Sequence, residues 1–122
     1  MKKSIIIILV ITTIASSCYR DVEEKLYPPN GNCDVTNVTY SSTVVPILQS
    51  NGCLGCHSGG APSGNISLEG YNNVKLVAQN GKLFGVISHS PGFTPMPQGG
   101  SKMSSCNINK IKAWIDAGSP NN

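Results

Sequence analysis

The chain has 122 residues, the size of one domain, and is rich in Gly (13) and Pro (8), while only 12% of its residues are charged. This composition predicts short elements joined by many turns. The formal charge of +3 includes Lys2 and Lys3, and from Cys18 onward the sequence has seven basic and six acidic residues. So small an excess, with no run of like charge, argues against a nucleic-acid partner.

The first seventeen residues have the three parts of a secretory signal. Lys2 and Lys3 precede an apolar stretch, residues 5–14, which is too short for a good membrane-spanning helix, and small residues then lead to Cys18. This ending resembles the lipobox of bacterial lipoproteins, although Ala15 stands where Leu is commonest. The resemblance implies that Cys18 is lipidated and anchors an exported protein to a membrane, in the periplasm or at the cell surface. The alternative is an ordinary cleaved signal.

Residues 18–32 are predicted to form a flexible tether. Mixed charges at residues 20–25 are followed by Pro28, Pro29, Asn30 and Gly31, and this combination breaks regular structure. The folded domain is therefore predicted over residues 33–122.

The hydrophobic pattern of this domain predicts an all-α fold of three to four short helices with long loops. The first helix is expected to have its cap at Ser42 or Thr43 and to end at Asn51-Gly52, and the last is expected to run from a cap at Asn107 to Gly118. Two further helices are predicted, Tyr71 to Gln79 and Lys82 to Ser88. The side chains predicted to face inward are Val44, Val45, Ile47, Leu48, Ile108, Ile111, Trp114 and Ile115.

The C-x-x-C-H spacing of Cys53, Cys56 and His57 is the attachment signature of a c-type haem. Two thiols three positions apart can bond two vinyl-derived carbons of one porphyrin, and the next residue brings an imidazole to the iron. The second ring nitrogen is expected to donate to a backbone carbonyl. Thioredoxin-like and zinc sites also use C-x-x-C. However, the sequence lacks a second close Cys or His pair for zinc, and residues 58–64 cannot continue a long helix.

The sixth iron ligand must come from farther along the chain. Met96 lies between Pro95 and Pro97, which restrict the backbone and favour an extended loop able to hold a thioether at the distal face of a haem. Met103 and His89 are the two rivals, and His89 is otherwise a plain loop histidine. Met96 is the preferred candidate, because a methionine between two prolines is a poor core residue of a helix or strand.

These pieces together resemble a small, helical, monohaem cytochrome c, of the kind found on exported lipoproteins of the Bacteroidetes type. The likeness covers roughly residues 40–122 and rests on residues 45–48 leading into the C-x-x-C-H motif, on the loop 96–100 and on the closing helix 111–118. It departs from the mitochondrial type in its first helix, where Val44, Pro46 and Ile47 replace the usual Gly and aromatic residue. The family implies haem ligands His57 and Met96 and an electron-transfer activity.

Cysteine counting leaves one further pair. Of the five cysteines, Cys18 is assigned to lipid and Cys53 and Cys56 to haem, so Cys33 and Cys106 remain in an oxidising compartment. In the cytochrome c fold the first and last helices cross, which implies that their starts come within bridging distance. A disulfide is therefore expected; the alternative is two buried free thiols.

The expected function is single-electron transfer between redox partner proteins, such as a dehydrogenase, an oxidase or another cytochrome, without an enzymatic turnover of its own. Three alternatives remain. They are an accessory haem domain of a dehydrogenase or oxidase, a thiol–disulfide oxidoreductase that uses Cys53 and Cys56, and a haem-based gas binder with an open sixth position.

Overall fold

The computed structural model describes residues 33–122, which belong to the unit Asn32–Asn122. The predicted signal peptide (residues 1–17), the predicted lipidation at Cys18 and the predicted tether (residues 18–32) lie outside the described residues. Half of the described residues are helical, and this part of the chain contains no strand, so the all-α class is confirmed. Within the same range, no helix is long and apolar enough to cross a membrane.

Five helices follow one another along this unit. Their bounds are α1, a π-helical turn Tyr40–Val44 continued by Val45–Ser50; α2, Cys53–Cys56; α3, Tyr71–Gln79; α4, Lys82–Ile87; and α5, Ser105–Asp116. A 3₁₀ turn, Ser63–Asn65, lies between α2 and α3. The predicted bounds of α3 are confirmed, and α4 ends one residue earlier than predicted.

Helix α1 begins earlier than predicted, because Thr39 rather than Ser42 or Thr43 is its cap. The Thr39 hydroxyl accepts the Ser42 N–H at 3.2 Å, and the Thr39 backbone is extended, as a cap requires. The first turn is wide, with the Val44 N–H donating to the Thr39 carbonyl. Pro46 follows this turn; it has no N–H to donate, and a regular α turn would crowd its ring against an earlier carbonyl.

Helix α5 also begins earlier than predicted. Its cap is Ser104, not Asn107, and the Ser104 hydroxyl accepts the Asn107 N–H at 3.2 Å. Cys106 therefore lies inside the first turn of the helix rather than before it. In both helices several Ser, Thr or Asn residues stand in a row, each of which is able to cap a helix.

The core is built where α5 packs against the first turn of α1 and against α4, while α3 packs against α4. Val44, Val74, Ile111 and Trp114 have no exposed surface. The side chains predicted to face inward do so, except that Val45 and Ile115 are only partly buried. The full core consists of Tyr40, Val44, Ile47, Leu48, Leu68, Val74, Val77, Ala78, Leu83, Ile87, Met103, Ile108, Ile111 and Trp114.

The last five residues return to the helices instead of extending away from them. The Trp114 Nε1–H donates to the Pro120 carbonyl at 2.9 Å, and the Tyr71 hydroxyl donates to the Ser119 carbonyl at 2.7 Å. The Tyr40 N–H donates to the Asn122 side-chain oxygen at 2.8 Å. The end of the chain therefore joins α1, α3 and α5, whereas the sequence predicted only a helix stop there.

The expected Cys33–Cys106 disulfide is present, with the two Cα atoms 5.5 Å apart. That separation is normal for a disulfide. The bond joins the beginning of the described segment to the first turn of α5, so these two cysteines are not free thiols.

We predict that the double variant Cys33→Ser, Cys106→Ser unfolds more easily than the wild type. The bond closes a sequence separation of 73 residues, and the chain-entropy argument gives a loss of about 4 kcal/mol in the free energy of unfolding. Guanidinium unfolding measures this, with the exposed Ser101→Ala as control. An unchanged unfolding midpoint in the double variant would contradict the prediction.

Candidate functional site

The C-x-x-C-H motif forms one short helical turn. Gly52, with φ at +70°, lets the chain turn sharply from α1 into α2. Cys53 is half-buried and packs with Leu54 against the core, whereas Cys56 is exposed. Neither Cys53 nor Cys56 is in a disulfide. The turn is therefore fixed on its Cys53 side and open on its Cys56 side, with two thiols available for bonding.

Burial raises the pKa of the Cys53 thiol above its ordinary value, and its own backbone hydrogen bond opposes this only in part. At neutral pH the neutral thiol is thus favoured more than in a free cysteine. A cysteine that attacks disulfides needs the thiolate form and access to its substrate. The Cys53 environment argues against such a role for this residue.

The His57 ring is oriented by a hydrogen bond to the backbone. Its Nδ1 lies 2.9 Å from the Ile66 carbonyl oxygen. A carbonyl can only accept, so Nδ1 carries the proton and the neutral ring keeps its lone pair on Nε2. This is the carbonyl partner predicted from the motif, and Ile66 is the residue that supplies it. Nε2 is thereby prepared to bind a metal.

The loop between His57 and Glu69 is closed by two more hydrogen bonds at its ends. The Leu68 N–H donates to the His57 carbonyl at 2.7 Å, and the Gly59 N–H donates to a Glu69 carboxylate oxygen at 2.9 Å. As predicted, residues 58–64 do not continue the helix of the motif. These bonds hold the two ends of the loop side by side, so the Ile66 carbonyl keeps its position relative to the His57 ring.

Met96 is held by its backbone from the end of α4. Its N–H donates to the Val86 carbonyl at 2.9 Å, and its carbonyl accepts from His89 Nε2 at 3.0 Å. The Met96 side chain is half-buried. We refer to residues 88–100 as the Met96 loop. Both backbone polar groups of Met96 are thus satisfied within this loop and α4.

The two rival ligands have other contacts. Met103 is only 5% exposed and belongs to the hydrophobic core, where a methionine fills space. His89 uses Nε2 to bind the Met96 carbonyl. Met103 is thus used in packing and His89 Nε2 in a hydrogen bond, and the preference for Met96 remains the prediction made from the sequence. The structure brings Cys53, Cys56 and His57 together, and it brings His89 to Met96; among the residues described, no hydrogen bond joins the two groups.

An aromatic ring adds a second attachment between α4 and the Met96 loop. Phe93 packs on Gly85, and a Cβ at that position would lie 2.6 Å from ring carbons. Gly85 itself is buried. The sequence offered one signal for this contact, a glycine inside a short helix, which often marks a close approach.

The donor set fits a haem of the c type. Haem iron takes only two axial ligands from a protein, commonly imidazole and thioether, and a c-type haem also uses two thiols. Within residues 33–122, no group of three or more His, Cys, Asp or Glu side chains is placed to hold a metal ion. A groove of about 350 Å³ borders Leu54 of the motif and is lined mainly by apolar side chains; Cys53, Cys56, His57 and Met96 are not among the residues that line it.

Comparison with known proteins adds no identification. No protein-family model matches the chain, and no curated protein and no solved structure matches it either.

We predict that Gly85→Ala loosens the Met96 loop. The added methyl group collides with the Phe93 ring, and overpacking of this kind costs about 1–3 kcal/mol, offset by up to ~1 kcal/mol from the better helix propensity of Ala. Hydrogen exchange of residues 88–100 is expected to accelerate. Gly60→Ala is the control, because Gly60 is exposed and has open space around it. Equal exchange in both variants would show that the Phe93 contact does not hold the loop.

Proposed function

We propose that this chain carries one covalently bound haem c and transfers single electrons. Cys53 and Cys56 would hold the haem through thioether bonds, and His57 and Met96 would bind its iron. The observation that carries the proposal is the hydrogen bond from His57 Nδ1 to the Ile66 carbonyl. It leaves the Nε2 lone pair available, directly after a turn with two unpaired thiols.

The two cysteines have different environments, which suits a haem with one accessible edge. Cys53 packs against the core and Cys56 is exposed. Electrons are therefore expected to enter and leave on the Cys56 side. The haem supplies the reversible ferrous and ferric couple, while the protein sets the reduction potential and the access to partners.

Met96 would supply the second iron ligand from a loop that hydrogen bonds attach to α4. A thioether ligand favours the reduced state and raises the potential. Because Val86 and His89 hold the Met96 backbone, the loop has little left to reorganise when the redox state changes. A fixed loop of this kind suits a carrier that needs a similar structure in both states.

We predict that the protein, produced in a host able to attach haem c, shows a strong Soret band and a sharp α band when reduced. Met96→Ala is expected to lose the weak far-red band of sulfur–iron ligation in the oxidised form and to bind carbon monoxide when reduced. Met103→Leu is the matched control; it conserves volume in the core and is expected to keep both properties of the wild type.

Two outcomes would count against the proposal. A colourless preparation that reduces disulfides would point to a thiol–disulfide oxidoreductase. A coloured wild-type protein that binds carbon monoxide without denaturant would point to a gas binder with an open sixth position, and Met96 would not be a ligand.

We propose further that the carrier is exported and anchored to a membrane through a lipidated Cys18. The support is the sequence alone, a basic start, an apolar stretch and small residues before this cysteine. A lipid anchor holds the haem domain at the surface where membrane-bound redox partners lie.

The prediction for this anchor is that Cys18→Ser moves the protein from the membrane fraction to the soluble fraction. Intact mass of the wild type is expected to show a chain that begins at Cys18 and carries acyl groups. Cys33→Ser is the control cysteine variant and is expected to stay in the membrane fraction. A wild-type protein cleaved elsewhere and free of lipid would exclude the anchor.

A further inference from the structure

His89 is joined to Met96 by its side chain. The distance from His89 Nε2 to the Met96 carbonyl oxygen is 3.0 Å. Because the carbonyl can only accept, Nε2 carries a proton, and it does so in both the neutral and the charged ring of this geometry. The same nitrogen has no lone pair left for a metal. The His89 ring therefore holds the backbone of Met96 through this hydrogen bond.

The backbone of His89 is in a conformation that favours glycine. Its φ is +54°, at the point where α4 ends. The Ser90 N–H donates to the Gly85 carbonyl at 3.0 Å, and the His89 N–H donates to the Val86 carbonyl at 3.4 Å. These two bonds form the Schellman motif, whose left-handed position is usually glycine. A residue with a Cβ is less stable than glycine in that conformation.

A histidine at this position thus carries backbone strain that glycine would avoid, and its imidazole makes one contact that glycine cannot make. That contact is the bond to the Met96 carbonyl. The other polar backbone group of Met96, its N–H, already donates to the Val86 carbonyl. Of the two hydrogen bonds to the Met96 backbone, only the one from His89 depends on a side chain.

We propose that His89 is a positioning residue that fixes the Met96 backbone and so holds the thioether in place for the iron. The inference rests on the proposed function. It assigns His89 a role different from that of a ligand, and it predicts that replacement by glycine weakens Met96 ligation without lowering stability.

The test uses the haem-loaded full chain and the variant His89→Gly. Loss of one hydrogen bond is expected to increase the fraction with Met96 detached by roughly two- to tenfold. The rate of carbon monoxide binding to the reduced variant is expected to rise in proportion to that fraction. The far-red band of the oxidised form is expected to weaken, and the reduction potential is expected to fall. The thermal unfolding midpoint stays equal or rises, because glycine suits the left-handed backbone.

Two further variants make the result specific. Ser119→Gly is the matched control, since Ser119 also has φ at +54° and its buried hydroxyl has no hydrogen-bond partner; it is expected to leave carbon monoxide binding and the far-red band unchanged. In a Met96→Ala background, His89→Gly is expected to add no further change in carbon monoxide binding. Faster hydrogen exchange at Met96 in His89→Gly would report the loosened backbone independently of the haem spectrum.

The outcomes separate the two proposals. A coloured His89→Gly protein with an intact far-red band and unchanged carbon monoxide binding overturns the positioning role and leaves the haem proposal standing. Loss of the cooperative fold in both His89→Gly and His89→Asn, which also tolerates a left-handed backbone, would make the residue structural and overturn the role. A colourless wild-type protein overturns both proposals.

Discussion

The hydrogen bond between His57 Nδ1 and the Ile66 carbonyl is the interaction on which the candidate site depends. It determines which ring nitrogen holds the proton, and therefore which one can bind a metal. It also fixes the plane of the imidazole relative to the Cys53–Cys56 turn. Ile66 in turn packs against the hydrophobic core, so the interior of the domain sets the orientation of the half-buried His57 ring.

Helix α4 plays the corresponding role for the Met96 loop. Within one short helix, Gly85 makes room for the Phe93 ring and the Val86 carbonyl accepts the Met96 N–H. The buried Leu83 and Ile87 hold α4 in the core, where it packs on α3 and α5. The disulfide at Cys106 restrains the start of α5. A loop with little regular structure is thus attached to a helix of the hydrophobic core.

The sequence predicted features that residue type and spacing determine, and it missed several helix caps and most long-range hydrogen bonds. The bounds of α3 follow from the hydrophobic pattern, and the Cys33–Cys106 pair follows from counting cysteines together with the helix crossing that the resemblance implies. The beginnings of α1 and α5 were placed too late, because neighbouring Ser, Thr and Asn residues are equally able to cap.

Three contacts had no local signal. A hydrogen bond from His57 to some backbone carbonyl was expected, but the sequence did not indicate which one. The carbonyl belongs to Ile66, nine residues away across a loop without a hydrophobic period. The His89–Met96 bond depends on a left-handed residue that the sequence presents as an ordinary loop histidine. The return of Asn122 to Tyr40 spans 82 residues. Each contact is determined by how the helices pack, and packing is not encoded in any short window.

The distribution of charge constrains how such a domain meets other proteins. Residues 35–68 and 83–101 contain the C-x-x-C-H motif and the Met96 loop, and neither segment contains an Asp, Glu, Lys or Arg. Electrostatic steering by these segments is therefore weak, and association without steering proceeds at about 10⁵–10⁶ M⁻¹s⁻¹. For the proposed electron carrier, recognition of these segments by a partner is then expected to depend on shape and apolar contact. Phe93 is 39% exposed on the Met96 loop and offers apolar area for it. The same ring packs on Gly85, so a partner that contacts Phe93 also contacts the attachment that holds Met96.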